Sequence, residues 1–226
     1  GYTGTFFNIN STPNQGIVSG RHTIITVNST DPNTCDLLNK LPPGQKVCAR
    51  LGNSLIGAQA EKLRYTMNVT NDNALFIYKY AVVMEDPGHP AEQQPKFQIK
   101  ILDSNNDIID SICGQYEVTA AANRPGFNNC GTIRWKDWTT VGMDLSKYVG
   151  KSITIEYTTY DCSQTGHYGY AYISAACATL EIKVNFCTAD TMVAFTAPPG
   201  FDYKWDNGET TQSIRVNNPP VGATYK

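Results

Sequence analysis

The sequence is poor in charge, and what charge it has nearly cancels. Lys, Arg, Asp and Glu make up 17% of 226 residues, and the formal net charge is −2. A chain without a basic excess lacks the counterion-releasing surface that nucleic acid needs, and nothing pulls it toward an anionic membrane. Neutral partners such as glycans escape this exclusion. No apolar run approaches the roughly 20 residues of a membrane span, so the chain is not expected to be membrane-embedded. No amphipathic pattern of four helical turns is present. Histidine is scarce, with three copies: His22, His89 and His167. G-x-S-x-G, H-E-x-x-H and P-loop motifs are missing. No Cys-x-x-Cys occurs, and no histidine stands at zinc-ligand spacing from a cysteine pair, so a metal cluster is not expected. The opening GYTGTFF carries no signal-peptide pattern, and the chain reads as a mature or excised fragment.

What the sequence does have is strand chemistry. Aromatics reach 11%, including 13 tyrosines, and Thr, Ile and Val recur in short runs. Period-two alternation is the main signal. Leu63, Tyr65, Met67 and Val69 share one face of EKLRYTMNV. Phe97, Ile99 and Ile101 share one face of KFQIKI, and Ile153, Ile155 and Tyr157 do so in KSITIEYTT. Dry on one side and wet on the other, these strands suit an antiparallel sandwich. ALFIYKYAVVM is apolar on both faces except at Lys79 and reads as a central strand covered on both sides. Turn clusters such as LPPG, TNDN, EDPGHP and DSNND punctuate the runs. In the last of these, Asp103, Asn105 and Asp107 mimic the start of an EF-hand loop. Ile108 stands where that loop needs glycine, so a hairpin turn is the better reading. The character changes near residue 179, where LEIKVNF opens a new strand pattern. Residues 1–178 are therefore assigned to one sandwich and 179–226 to the start of a second β module, too short to close a sandwich of its own.

Seven cysteines are present. Their gaps suggest local bridges, Cys35–Cys48, Cys113–Cys130 and Cys162–Cys177. Each would close a loop of about 14 to 18 residues worth roughly 3 kcal/mol. Cys187 is left unpaired. Disulfides imply an oxidising compartment, hence a secreted or cell-surface protein.

The stretch DCSQTGHYGYAYISAAC, residues 161–177, concentrates the candidate chemistry. Tyr168, Tyr170 and Tyr172 lie on one strand face. They form either a core stripe whose hydroxyls reach polar partners at the rim or a platform for stacking sugar rings. Trp135, just past Cys130, is the candidate exposed aromatic, with the alternative of core packing. Trp135, Tyr168, Tyr170, His89 and His167 are the candidate ligand-binding residues. Glu85, Asp86 and Asp161 are the candidate Ca²⁺ ligands, since sandwich-end loops supply the oxygens calcium prefers. The alternative for Glu85 and Asp86 is turn capping or pairing with Arg50 or Arg64. No catalytic residue is assigned. A hydrolase on this scaffold would need a histidine and a nucleophile, or two carboxylates, in hydrogen-bond reach, with His167, Asp161 and Glu85 as the residues to watch.

Several segments occur in an order that resembles a known family. They are ARLGN at 49–53, AEKLRYTMNV at 60–69, KYAVVMEDPGHPAEQQPKFQIKILD at 79–103, DWTTVGMDLSKYVGKSITIEYTTYDC at 137–162 and GHYGYAYISAAC at 166–177. Together they resemble the jelly-roll module of very large, adhesin-like surface proteins of gliding bacteria exported by type IX secretion. Trp138 resembles that family's buried tryptophan before the DLS turn. The tail PPGFDYKWDNGETTQSI looks like the opening of an Ig-like or PKD-like repeat. The resemblance implies an all-β fold, an antiparallel jelly-roll sandwich plus a partial Ig-like module. It also implies a non-enzymatic role in adhesion or as a stalk, with neighbouring domains of the same large protein as partners. The alternative is a carbohydrate-binding module, with or without calcium, that targets an attached enzyme or cell to glycans.

Overall fold

The computed structural model describes residues 19–110, 114–120, 125–186 and 191–226. Among them the regular structure is thirteen strands and four single 3-10 turns. Eight strands build the sandwich: β2 (Cys48–Leu51), β3 (Ala60–Asn68), β4 (Leu75–Glu85), β5 (Lys96–Leu102), β6 (Gln115–Thr119), β8 (Ile133–Asp144), β9 (Ser152–Tyr160) and β10 (Gly169–Ala178). One sheet runs β2-β10-β4-β8, extended by β1 (His22–Ile25) beside β2 and β7 (Asn128–Cys130) beside β8. The other runs β3-β9-β5-β6. The chain crosses between sheets at nearly every step, with β5 and β6 as the hairpin exception. Two interleaved four-stranded sheets in this order are a jelly roll.

The chain divides into two compact units. The first comprises residues 1–68, 79–139 and 151–174, and the second comprises 69–78, 140–150 and 175–226.

In the first unit the alternation holds in β5, whereas β9, expected to be half-buried, is covered on both faces as an inner strand of its sheet. Phe97, Ile99, Ile101, Ile153, Ile155 and Tyr157 are buried, and Tyr80 of β4 stacks on Phe97 of the facing sheet with ring centroids 5.4 Å apart. Leu63 and Tyr65 share that face yet stay exposed, because β3 is the edge strand of its sheet. Strand β9 pairs with β3 and β5, and two long side chains of β3 reach Glu156, Lys62 Nζ at 2.9 Å and Arg64 Nε at 3.4 Å. The result is a solvated, ion-paired outer face.

Strand β4 is covered on both sides, as its composition requires. Its second face, Ala81 and Val83, packs with Leu38, Leu41, Cys48, Trp135, Tyr170 and Tyr172. The cover is the segment 28–47. Asp31 caps the turn Pro32–Thr34 by accepting from Asn33 N, and the backbone closes on itself through Asp31 N to Leu38 O at 2.8 Å and Lys40 N to Ser29 O at 2.9 Å. A disulfide joins Cys35 in this segment to Cys130 at the end of β7, across 95 residues of sequence. This corrects the expected local bridges. Cys35 does not pair with Cys48, whose buried thiol donates instead to Lys40 O. Cys130 does not pair with Cys113, and Cys162 carries a free thiol rather than a bond to Cys177. Cys113 and Cys187 lie outside the described residues.

The Asp103 turn behaves as the hairpin reading requires. Its Oδ1 accepts from the backbone of Asn105 and Asp107, leaving the carboxylate engaged within its own loop.

In the second unit, β11 (Lys183–Phe186), β12 (Met192–Thr196) and β13 (Ser213–Asn217) form an antiparallel sheet. Val193 of β12, Ile214 of β13 and Trp205 in the connection between those strands are buried, and Trp205 Nε1 donates to Thr211 O at 2.7 Å. Gly142 meets the 198–201 turn so closely that a Cβ there would lie within 2.7 Å of Pro199 O. That contact is one only glycine permits.

Candidate functional site

The tyrosine stripe resolves first. Tyr170 and Tyr172 both donate their hydroxyls to Asp31 Oδ2, at 2.7 and 2.9 Å. Asn33 Nδ2 donates to the Tyr170 oxygen. Burial, reinforced by the Asp31 charge, pushes both phenols far above their ordinary range, so they are permanent donors to one buried carboxylate. Tyr170 is 2% exposed, which rules it out as a stacking platform and corrects its place among the candidate ligand-binding residues. Trp135 is corrected on the same ground: it is 4% exposed and belongs to the cluster beneath segment 28–47. Trp138 packs at the edge of that cluster and donates Nε1 to Asn39 O at 2.8 Å.

The chemistry lies instead where two loops meet at one end of the sandwich. One loop, residues 86–95, follows β4; the other, residues 161–168, joins β9 to β10. The second is a tight reversal. Cys162 N donates to His167 O at 2.9 Å, and Thr165, at φ 68°, returns its N–H to Cys162 O. This closure sets Cys162 and His167 side by side, with Sγ 3.4 Å from His167 Nδ1. The first loop brings His89, whose Nδ1 lies 3.8 Å from the same sulfur. The two imidazoles meet edge to face, with centroids 5.3 Å apart. Ser163 N donates to Gln93 O and ties the loops directly. Gln94 Nε2 holds the His89 carbonyl and Asp86 Oδ1, both at 3.0 Å.

Around this cluster the carboxylates are already engaged. Asp86 accepts from Gly88 N and pairs with Arg134 Nε at 3.4 Å. Glu85 lies 3.5 Å from the Thr132 hydroxyl. Asp161 accepts from the backbone of Gln59 and Gly169, at 2.8 and 3.1 Å, pinning both ends of the second loop. Burial nevertheless pushes its carboxyl up to about 7, outweighing those two N–H groups. Among the described residues, the group with three or more ligating side chains in mutual reach is His89, Cys162 and His167, and Glu85, Asp86 and Asp161 form no such group. Tyr168 borders the cluster half-buried and stacks on Tyr170. Burial and the nearby Glu85 and Asp31 charges raise its phenol to about 12.

Sequence reasoning named His89 and His167 as candidate ligand-binding residues and Glu85, Asp86 and Asp161 as candidate Ca²⁺ ligands, but missed Cys162, which it assigned to a disulfide. The signal was the Cys162-x4-His167 spacing across a Gly-containing turn. His89 stands 73 residues away, and no local pattern announces its arrival. A histidine does lie within reach of a nucleophile type, as the hydrolase alternative demanded. The sulfur, however, belongs to a residue with no exposed surface, and a buried thiol has no route to a substrate.

No family model matches the chain, and no curated protein matches it significantly. Solved structures do. TmCBM61 in complex with β-1,4-galactotriose is 9% identical, covers 70% of this chain and 83% of its own, and has a TM-score of 0.39. CBM27-1 of Caldicellulosiruptor saccharolyticus in complex with mannohexaose is 10% identical over 59% of this chain and 76% of its own, at 0.32. The enzymatically active domain of bacteriophage CBA120 tailspike protein 4 is 9% identical over 69% of this chain and 17% of its own, at 0.34. Likeness at this level carries no weight for ligand or activity.

Proposed function

We propose that this chain is a secreted, non-catalytic β-sandwich module of an adhesin-like, gliding-associated surface protein, working in adhesion or as a stalk. One observation carries the reading: the long-range Cys35–Cys130 disulfide clamps segment 28–47 over the tyrosine face, converting the most aromatic surface of the sheet into core. A covalent clamp across 95 residues suits an oxidising exterior, where proteases and tension act. The outer face of the other sheet is a mesh of ion pairs around Glu156 and Glu117, the polar surface expected of a spacer. The resemblance to type IX-secreted jelly-roll modules supports the same role. Neighbouring domains of one large protein are the partners this role implies.

The glycan-binding alternative keeps one specific feature, Tyr65, which is 54% exposed on the edge strand β3. An exposed ring at a strand edge is a minimal sugar-stacking surface. The test is a glycan array probed with the purified chain, with and without chelator, alongside retention of module-coated beads on cell and polysaccharide surfaces. The adhesive reading predicts bead retention without array binding. Saturable array binding lost in Tyr65→Ala would favour the carbohydrate-binding module, and release of soluble product from a polysaccharide would contradict both.

A further inference from the structure

We propose that Cys162, His89 and His167 form a binding site for one thiophilic transition-metal ion, with Zn²⁺ as the best-fitting class, at the loop end of the sandwich. The geometry makes the argument. A tetrahedral zinc with ordinary Zn–S and Zn–N bonds places its sulfur and nitrogen ligands about 3.6 Å apart. The observed Sγ to Nδ1 distances, 3.4 and 3.8 Å, bracket that separation, and all three donor atoms lie within 4.8 Å of one another. Both imidazoles turn the same ring atom, Nδ1, toward the sulfur.

The donor set also fits by type. One thiolate and two imidazoles select zinc or copper over calcium, which wants oxygen. The site is rigid before any ion enters. The Cys162–His167 reversal is closed by its own backbone bonds, the Ser163–Gln93 bond joins the two loops, and Gln94 anchors the His89 carbonyl. Gln164 N lies 3.3 Å from Cys162 Sγ, a backbone donor suited to a thiolate. Two alternative uses of Cys162 fail. It makes no disulfide, and its burial denies a substrate access. A metal ligand needs no such access, and both histidines are partly exposed.

Binding replaces the Cys162 S–H bond with an S–metal bond and releases one proton to solvent. The ion would staple the 86–95 and 161–168 loops at the end of the module where a ligand would dock. This site stands independently of the adhesive reading.

The test uses the full chain, stripped with chelator under reducing conditions mild enough to keep Cys35–Cys130 intact. It is titrated separately with Zn²⁺ and with Co²⁺. The site predicts one ion per chain, a thiolate-to-cobalt charge-transfer band, and a rise in Tm with zinc that follows mass action. Cys162→Ser removes the charge-transfer band. His89→Ala and His167→Ala each weaken zinc binding by at least tenfold. His167→Asn serves as a second variant should the alanine change disturb the turn, and the ion-free Tm of every variant reports folding separately. Unchanged cobalt spectra in Cys162→Ser would place the ion on another thiol and overturn the proposal. So would the absence of stoichiometric binding by the wild-type chain.

Discussion

Tyr170 and His167 stand three residues apart and end in opposite circumstances. Tyr170 lies under segment 28–47, its hydroxyl spent on Asp31, while His167 sits partly exposed against a buried sulfur. The difference comes from what covers each. Once β10 begins, a clamped segment seals its face; just before it, only two loops converge. In this sandwich the strands provide stability and the loop end provides chemistry. The sealed face and the loop end should therefore respond differently to perturbation.

The largest effect belongs to the clamp. Replacing Cys35 and Cys130 by alanine frees a loop spanning 95 residues, which should cost about 4 to 5 kcal/mol. Denaturant unfolding followed by tryptophan fluorescence would show it, with Trp135 and Trp138 both reporting on the sealed face. Next comes Asp31→Ala, which strands two buried phenol hydroxyls and should cost about 3 kcal/mol. The same assay measures it. Neither change should alter zinc affinity by more than about twofold if the two regions are energetically separate.

Two smaller effects concern titration and the surface. Glu61 is buried against Arg21 Nε and the Thr159 hydroxyl. Burial raises its carboxyl despite the Arg21 charge. The folded state therefore holds the proton more tightly than the unfolded one. Relative to acid pH, stability is lost as pH climbs from the ordinary glutamate value near 4.3 toward the raised folded value. Glu61→Gln should remove that component, so wild-type stability relative to the variant falls as pH rises across this window and the two curves run parallel above it. Parallel curves throughout would contradict the raised pKa. The smallest effect is Tyr65→Ala on the exposed edge, expected within about 0.5 kcal/mol of wild type.

Much of the sandwich was readable from local pattern. The alternation in β5 and the two-sided hydrophobicity of β4 are properties of consecutive residues, and those strands are buried accordingly, whereas the alternating β9 is covered on both faces by its place inside the sheet. Long-range matters were not readable. Trp135 lies within a polar-looking RWKDW run, yet it is buried by a segment roughly a hundred residues earlier. Cys35 has Cys48 as its nearest sequence neighbour, but Cys48 points into the core and the 28–47 fold carries Cys35 to β7. Leu63 and Tyr65 alternate as core residues should, but an edge strand has no neighbour on one side to cover them. At the loop end the histidines were visible and their shared sulfur was not. Cysteine counting favours bridges, and only the folded chain shows that Cys162 faces imidazoles instead of Cys177.

The account rests on segment 28–47 being locked over the tyrosine face, and peptide mapping by mass spectrometry without reduction tests this directly. The predicted result is a cross-linked pair containing Cys35 and Cys130, with Cys48 and Cys162 alkylated only after unfolding. A Cys35–Cys48 cross-link, or rapid alkylation of Cys35 in the folded protein, would contradict it.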